Sequence, residues 1–278
     1  MNTDREILHK ISLLEACLRA TERCTIAVSG GIDSMLLSWI ASRCLGDNAL
    51  IVHATSPAVS QKDGSRVRDY AARWQWNYQE IVSDQIHQEM YQSNPLNRCY
   101  YCKSGLYCQL GKFNHGHVMT GTNMNDLGDF RPGLIAAQEQ GVRHPYVECQ
   151  IDKATIRQIA AHFRLVDLQD LPASPCLSSR IETGIRINTA QLSLIDRAES
   201  YLRQHFPEQT VRLRIRKDGL VVELAGPTLD GLDAKNKADH ITCVESMARE
   251  SGIDAPVRFA PYTQGSAFIG DKSVRAGQ

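Results

Sequence analysis

Apolar positions along this chain switch between two spacings. Ile7, Leu8, Ile11, Leu14 and Leu18 recur at helical intervals across Asp4–Arg19. Four short apolar runs follow, Thr25–Val28, Ala49–Ala54, Trp76–Val82 and His117–Thr120, each of strand length. Helical stretches lie between and after them, at Ser34–Arg43, Gly64–Trp74, Tyr101–Lys112, Pro132–Gln140 and Lys153–Phe163, with Asp152 placed to cap the last. Alternating strand and helix predicts an α/β fold, a doubly wound parallel sheet with helices on both faces. From Leu171 to Gly184 the chain is rich in Pro, Ser and Gly and reads as a long loop. It divides a larger domain, residues 1–186, from a small C-terminal α+β domain, residues 187–278. The small domain is predicted as a long helix, Thr189–Phe206, two strands, Thr210–Arg216 and Leu220–Ala225, turning at Lys217-Asp218-Gly219, a helix from Lys237 to Glu250, and an irregular tail.

Composition narrows the class. The 278 residues are 42% hydrophobic and 22% charged, ordinary for a globular protein. Lys+Arg and Asp+Glu both number 31, and a formal net charge of zero weighs against a nucleic-acid partner. No apolar run reaches the about 18 residues of a membrane-spanning helix, and Met1–Glu6 is charged rather than a signal core, so a cytoplasmic protein without a membrane partner is expected. Nine cysteines, an odd number without a secretion signal, argue against a disulfide framework. Cys17, Cys24, Cys44, Cys108, Cys149 and Cys243 are read as structural thiols, which leaves Cys99, Cys102 and Cys176 for chemistry.

Ser29-Gly30-Gly31-Ile32-Asp33-Ser34 follows the first predicted strand and opens a helix. A strand, a glycine turn and a helix start form an anion cradle, because the glycines let backbone approach a phosphate and the first-turn N–H groups point at it. No lysine follows the glycines, so this is not the Gly-x4-Gly-Lys-Ser/Thr loop. It is similar to the pyrophosphate (PP) loop, SGGxDS, of the N-type ATP pyrophosphatases. Asp33 is placed to position Mg²⁺ or to fix the loop. Ser56 ends the second strand, where such a sheet would put adenine. Asp126 and Asp129 offer oxygen ligands to Mg²⁺ or act as turn residues, and Arg131 could face charge at an α-phosphate. Cys99 and Cys102 are three apart and Cys176 lies in the other long loop. Three thiols suit either a structural zinc, for which no fourth ligand stands out, or a [4Fe–4S] cluster with one open iron. Arg212, Arg214 and Arg216 alternate with aliphatics, a row that suits a phosphate or a solvated strand face.

Five ordered blocks then match one family: SGGIDS at 29–34, NPLNRCYYCK at 94–103, GTNMNDLGDFRPG at 121–133, SPCLSSRI at 174–181 and VRLRIR at 211–216. The chain resembles the LarE-type ATP-dependent sulfur transferases over nearly its whole length. The resemblance implies a PP-loop (adenine nucleotide alpha hydrolase-like) domain followed by a small oligomerisation domain, and a homo-oligomer, trimer or hexamer. It implies adenylation of a carboxylate of pyridinium-3,5-biscarboxylate mononucleotide by ATP, then replacement of oxygen by sulfur, in nickel-pincer nucleotide synthesis. ATP and Mg²⁺ would be bound by Ser29, Gly30, Gly31, Asp33, Ser34, Ser56, Gly121, Asn123 and Arg131, with Asp126 near Mg²⁺. Arg212 and Arg214 would take the phosphate of the small nucleotide substrate, and Glu199 matches a family glutamate or faces solvent. Some members sacrifice the sulfur of the cysteine matching Cys176. Others hold a [4Fe–4S] cluster on three cysteines, and Cys99, Cys102 and Cys176 place this chain with them, fed by sulfide or another sulfur donor. A tRNA-thiolating enzyme, an amide-forming ligase and a zinc-bearing scaffold are the competing readings. The chain departs from the family at Glu182-Thr183, at Val221 in place of an arginine, and at Asn125 in place of an aspartate, which puts the acceptor's identity in question.

Overall fold

The structure, a computed structural model, describes residues 2–128, 131–207 and 209–270. The chain forms two compact units, one of Met1–Gln85 with Cys99–Ser174 and one of Ile86–Arg98 with Pro175–Gln278. The second unit thus takes in a short upstream segment that the sequence leaves inside the larger domain.

In the first unit four strands, β1 (Cys24–Val28), β2 (Ala49–Thr55), β3 (Tyr78–Val82) and β4 (His117–Met119), form a wholly parallel sheet in the order β3-β2-β1-β4. The strands end within a few residues of the ends expected from their apolar runs. Successive side chains point to opposite faces. Cys24, Ile26, Val28, Ala49 and Ile51 join one core with the helices Asn2–Arg19, Ile32–Leu45 and Lys153–His162. Leu50 and Val52 join the other with Leu106, Tyr107 and Leu110 of the helix Arg98–Gly111 and Ala136 and Ala137 of the helix Pro132–Glu139. Helices on both faces explain why β1 and most of β2 are buried on both sides, whereas the edge strand β3 exposes Gln79 and Glu80. Asp152 caps its helix as expected, accepting the Thr155 N–H at 2.8 Å. The order runs outward from β1 to β2 and β3 on one side and to β4 on the other. In such sheets the crevice for a ligand opens beyond the carboxyl ends of the strands at that reversal.

The second unit carries a three-stranded sheet in the order β5 (Arg212–Arg216), β6 (Gly219–Leu224), β7 (Val257–Pro261). β5 and β6 are the expected antiparallel hairpin, and β6 pairs with β7 in parallel. The expected irregular tail therefore holds a strand. Its five residues end in proline, which lacks a donor, and that suits an edge position but hides the strand from pattern reading. The helices Thr189–His205 and Ala234–Glu250 are capped by Asn188, in a capping box with Gln191, and by Asp233.

Glu199 on the first of these helices does not face solvent. It is fully buried, and both carboxylate oxygens are gripped by the Nε and Nη2 of Arg180, itself 2% exposed, at 2.9 and 3.0 Å. Glu199 also accepts the Leu213 N–H of β5 at 3.1 Å and is paired with Arg203. Removing one partner of a buried pair leaves the other charge uncompensated, so Glu199→Ala is expected to cost about 3–5 kcal/mol in urea denaturation.

Candidate functional site

β1 ends at Val28 and the helix begins at Ile32, so the turn Ser29–Gly31 lies at the reversal point of the sheet. Gly31 is the N-cap, extended at φ −81° and ψ 155°, and no side chain closes the cap. The first-turn N–H groups therefore stay open to an anion. Gly30 has φ +86°, and a Cβ there would lie 2.9 Å from the carbonyl oxygen of Asp63. The Ser34 hydroxyl braces the turn from within: it accepts the Ser29 N–H at 3.0 Å and donates to the Gly31 carbonyl at 3.1 Å.

Two residues the sequence reading missed fix this turn from outside. Arg66 donates to the Gly30 carbonyl at 2.9 Å and to Asp63 Oδ1 at 2.6 Å. Asp63 Oδ2 accepts from Ser60 at 2.7 Å and Ser174 at 2.6 Å. Burial pushes the Asp63 carboxyl up, but the hydrogen bonds from Ser174, Ser60 and Arg66 outweigh it and hold the group below its ordinary range. Asp63 and Arg66 stand more than thirty positions downstream of the loop, and only the packing of their helix, Gln61–Arg73, on the turn reveals them.

β4 supplies the opposite wall. A Cβ on Gly121 would sit 2.7 Å from both the Asp33 carbonyl carbon and the Ser34 nitrogen, so the two loops touch backbone to backbone. Asn123 is buried, and its segment is closed by the Asp126 carboxylate, which accepts the Asn123 N–H at 3.0 Å and pairs with Arg131 at 2.8 Å. Asp129 lies outside the described residues. Asp33 pairs through Oδ2 with Lys153, while its Oδ1 is buried without a hydrogen-bond partner. Burial raises the Asp33 carboxyl above its usual range, and Lys153 opposes the shift.

Cys99 and Cys102 sit half-buried near the start of the helix Arg98–Gly111, on one face by their spacing. The Cys102 thiol donates to Gln85 Oε1 at 3.0 Å, and Gln85 Nε2 donates to Ser56 Oγ at 3.1 Å. Ser56 is thus linked to a thiol through a glutamine that the sequence did not single out. Cys108, read as structural, is exposed.

In the second unit Cys176 is exposed on the loop before the short turn Leu177–Arg180, and Arg180 Nη1 holds its carbonyl at 3.1 Å. Within neither unit do three His, Cys, Asp or Glu side chains among the described residues gather as a set that could hold a metal ion. The three β5 arginines share one face, but it is not a solvated one. Arg214 is buried against Glu223, with Nε to Oε2 at 2.8 Å, and donates to the Ser179 carbonyl at 3.1 Å. Arg216 reaches the Ser266 carbonyl at 2.7 Å and Glu223 at 3.3 Å. Burial first, then the nearby Arg180 charge, pulls Arg212 down to about 10. Beside them a cleft of about 340 Å³ is lined by Glu182, Arg216, Lys217, Val221, Glu223 and Arg258. Glu182 and Val221, two of the family departures, face the same space.

Two outcomes check this geometry. Gly121→Ala drives a Cβ into backbone that cannot step aside and should cost about 1–3 kcal/mol in chemical denaturation. A carboxyl whose folded value is depressed stabilises fully above its unfolded value, about 3.9 for Asp, and loses that contribution as pH falls through the lower folded value. Asp63→Asn should therefore be less stable than wild type at neutral pH, with the gap closing in acid titrations followed by circular dichroism.

No protein-family model matches the chain. It is 37% identical over 224 residues to an uncharacterized protein of Synechocystis, spanning 77% of this chain and 81% of that one. An uncharacterized protein of Methanocaldococcus jannaschii is 31% identical over 203 residues, 72% of this chain and 76% of its own. The pyridinium-3,5-bisthiocarboxylic acid mononucleotide synthase of Lactiplantibacillus plantarum is 33% identical over 221 residues, covering 77% of this chain and 79% of the synthase. At that identity and coverage, the chain belongs to the family of this synthase, the LarE family.

Proposed function

We propose that this protein is an ATP-dependent sulfur transferase that converts a carboxylate of a pyridinium mononucleotide into a thiocarboxylate. The observation that carries the reading is the uncapped glycine turn at the sheet reversal, walled by Gly121 on one side and by Asp63 and Arg66 on the other. Open N–H groups there suit the β- and γ-phosphates of ATP. A carboxylate oxygen of the acceptor attacks the α-phosphorus, the bond between α-phosphorus and the bridging oxygen breaks, and pyrophosphate leaves with that electron pair. A sulfur nucleophile then attacks the acyl carbon and AMP departs, leaving the thiocarboxylate.

Mg²⁺ fits at Asp33, whose buried Oδ1 has no hydrogen-bond partner, better than at Asp126, whose two oxygens are engaged by Asn123 and Arg131. Arg131, paired with Asp126 in the same loop, suits the α-phosphate. Arg212, with its depressed guanidinium, suits the phosphate of the nucleotide acceptor, while Arg214 shapes the sheet face through Glu223. The cleft at Glu182 and Val221 is where an acceptor different from the family's own would be recognised.

The donor set fits an iron–sulfur cluster in its chemistry: two thiols on one helix face and a third exposed thiol, Cys176. When bound, such a cluster would supply a sulfide at an open iron. A second reading, sacrifice of Cys176, is favoured by the exposure of that thiol on its loop. There the Cys176 thiolate attacks the acyl carbon and AMP departs, giving a thioester; loss of the Cys176 α-proton then breaks its Cβ–S bond, which releases the thiocarboxylate and leaves dehydroalanine.

Turnover of anaerobically purified protein with ATP, Mg²⁺ and pyridinium-3,5-biscarboxylate mononucleotide tests both. The expected products are AMP, pyrophosphate and a thiocarboxylate, with an unchanged polypeptide on mass spectrometry. A loss of about 34 Da at Cys176 would assign the sacrificial route instead. Absence of AMP formation with every carboxylate acceptor tried would sink the sulfur-transfer reading.

A further inference from the structure

Arg98 is 1% exposed and is among the largest fully buried side chains of the protein. Its Nη1 donates to Asn94 Oδ1, a neutral acceptor. The Phe268 ring lies 4.6 Å from the guanidinium carbon and covers its flat face. Nε and Nη2 are buried and have no hydrogen-bond partner. Among the described residues, every other deeply buried guanidinium in this unit is matched by a carboxylate: Arg180 by Glu199 and Arg214 by Glu223. A buried cation held only by a neutral amide and a ring is costly unless something else completes it.

The two idle nitrogens are the pair on one edge of the guanidinium. Their N–H bonds run parallel and match two oxygens of one carboxylate or phosphate group. The same edge of Arg180 takes Glu199 Oε1 and Oε2 at 2.9 and 3.0 Å, so this protein already displays the arrangement with an internal partner. Asn94 cannot turn to relieve Arg98. Its Nδ2 donates to the carbonyls of Glu182 at 2.8 Å and Ile185 at 3.0 Å, which aims Oδ1 at the guanidinium and fixes the orientation of the open edge.

We propose that the Nε/Nη2 edge of Arg98 is a binding site for an oxyanion bearing two adjacent oxygens, a carboxylate or a phosphate group. The site stands whether or not the sulfur chemistry proposed above holds. Phe268 packs on the flat face and leaves the edge to an in-plane partner: the ring is half-buried, on a segment tied down through Thr183, whose N–H donates to the Ala267 carbonyl at 2.9 Å and whose hydroxyl accepts the Ile269 N–H at 3.3 Å.

The test is thermal unfolding of the full chain with inorganic phosphate and, separately, nicotinate, each against chloride at equal ionic strength. Wild type should rise in melting temperature with phosphate, nicotinate or both, and the responding arm identifies the oxygen source. Arg98→Met, uncharged and similar in length, should melt at or above wild type without anion and show a smaller anion response than wild type, the remainder being what the glycine turn and Arg212 bind. Arg98→Lys keeps the charge but not the paired donors and should bind about tenfold more weakly. Two results overturn the site: a wild-type response no greater than that to chloride, or an Arg98→Met response equal to wild type. If Arg98→Met does not fold, an unchanged affinity in Arg98→Lys overturns it.

Discussion

Backbone contact without side chains is the constraint on which the first unit depends. Gly30 lies against Asp63 and Gly121 lies against the peptide joining Asp33 to Ser34, each at a distance that leaves no room for a Cβ. These contacts bring the segments after β1 and β4 and the helix after β2 to one point at the carboxyl end of the sheet. With that space closed to side chains, the N–H groups of the first helical turn remain directed at whatever anion occupies it. The ionic bonds around the turn act in the same sense. Arg66, itself held by Asp63, donates to the Gly30 carbonyl, and Ser34 holds the inside of the loop, so the cradle keeps its shape before a ligand arrives.

The second unit is organised by buried charge. Glu199 gathers Arg180, Arg203 and the Leu213 amide; Glu223 gathers Arg214, Arg216 and Ser266. Such pairs add little net stability when complete but penalise any arrangement that separates them. They therefore define how the helix Thr189–His205, the turn Leu177–Arg180 and β5 fit together. Cys176 begins that turn, so the exposed thiol is mounted on a segment whose next residues are locked by Arg180.

The elements of the chain were largely legible because their apolar spacing is regular. The parallel strands, their helices, the hairpin at Lys217–Gly219 and the Asp152 cap all follow local rules that a sequence displays directly. The glycine turn was legible for the same reason, since strand, glycines and helix start are contiguous. β7 was not, because a short strand ending in proline carries little pattern. Neither was the burial of Glu199 and Arg214, nor the partners of Arg216: alternation places arginines on one face but says nothing of what covers that face.

By itself the sequence determined the alternating architecture and the glycine turn between strand and helix, because each is encoded within a few consecutive residues. Only the tertiary structure decided which charges meet. Asp63 and Arg66 at Gly30, Lys153 at Asp33, Gln85 between Ser56 and Cys102, and the uncompensated edge of Arg98 are all contacts between segments distant in the chain. Electrostatic partners are chosen by proximity in space, and no local periodicity records that choice.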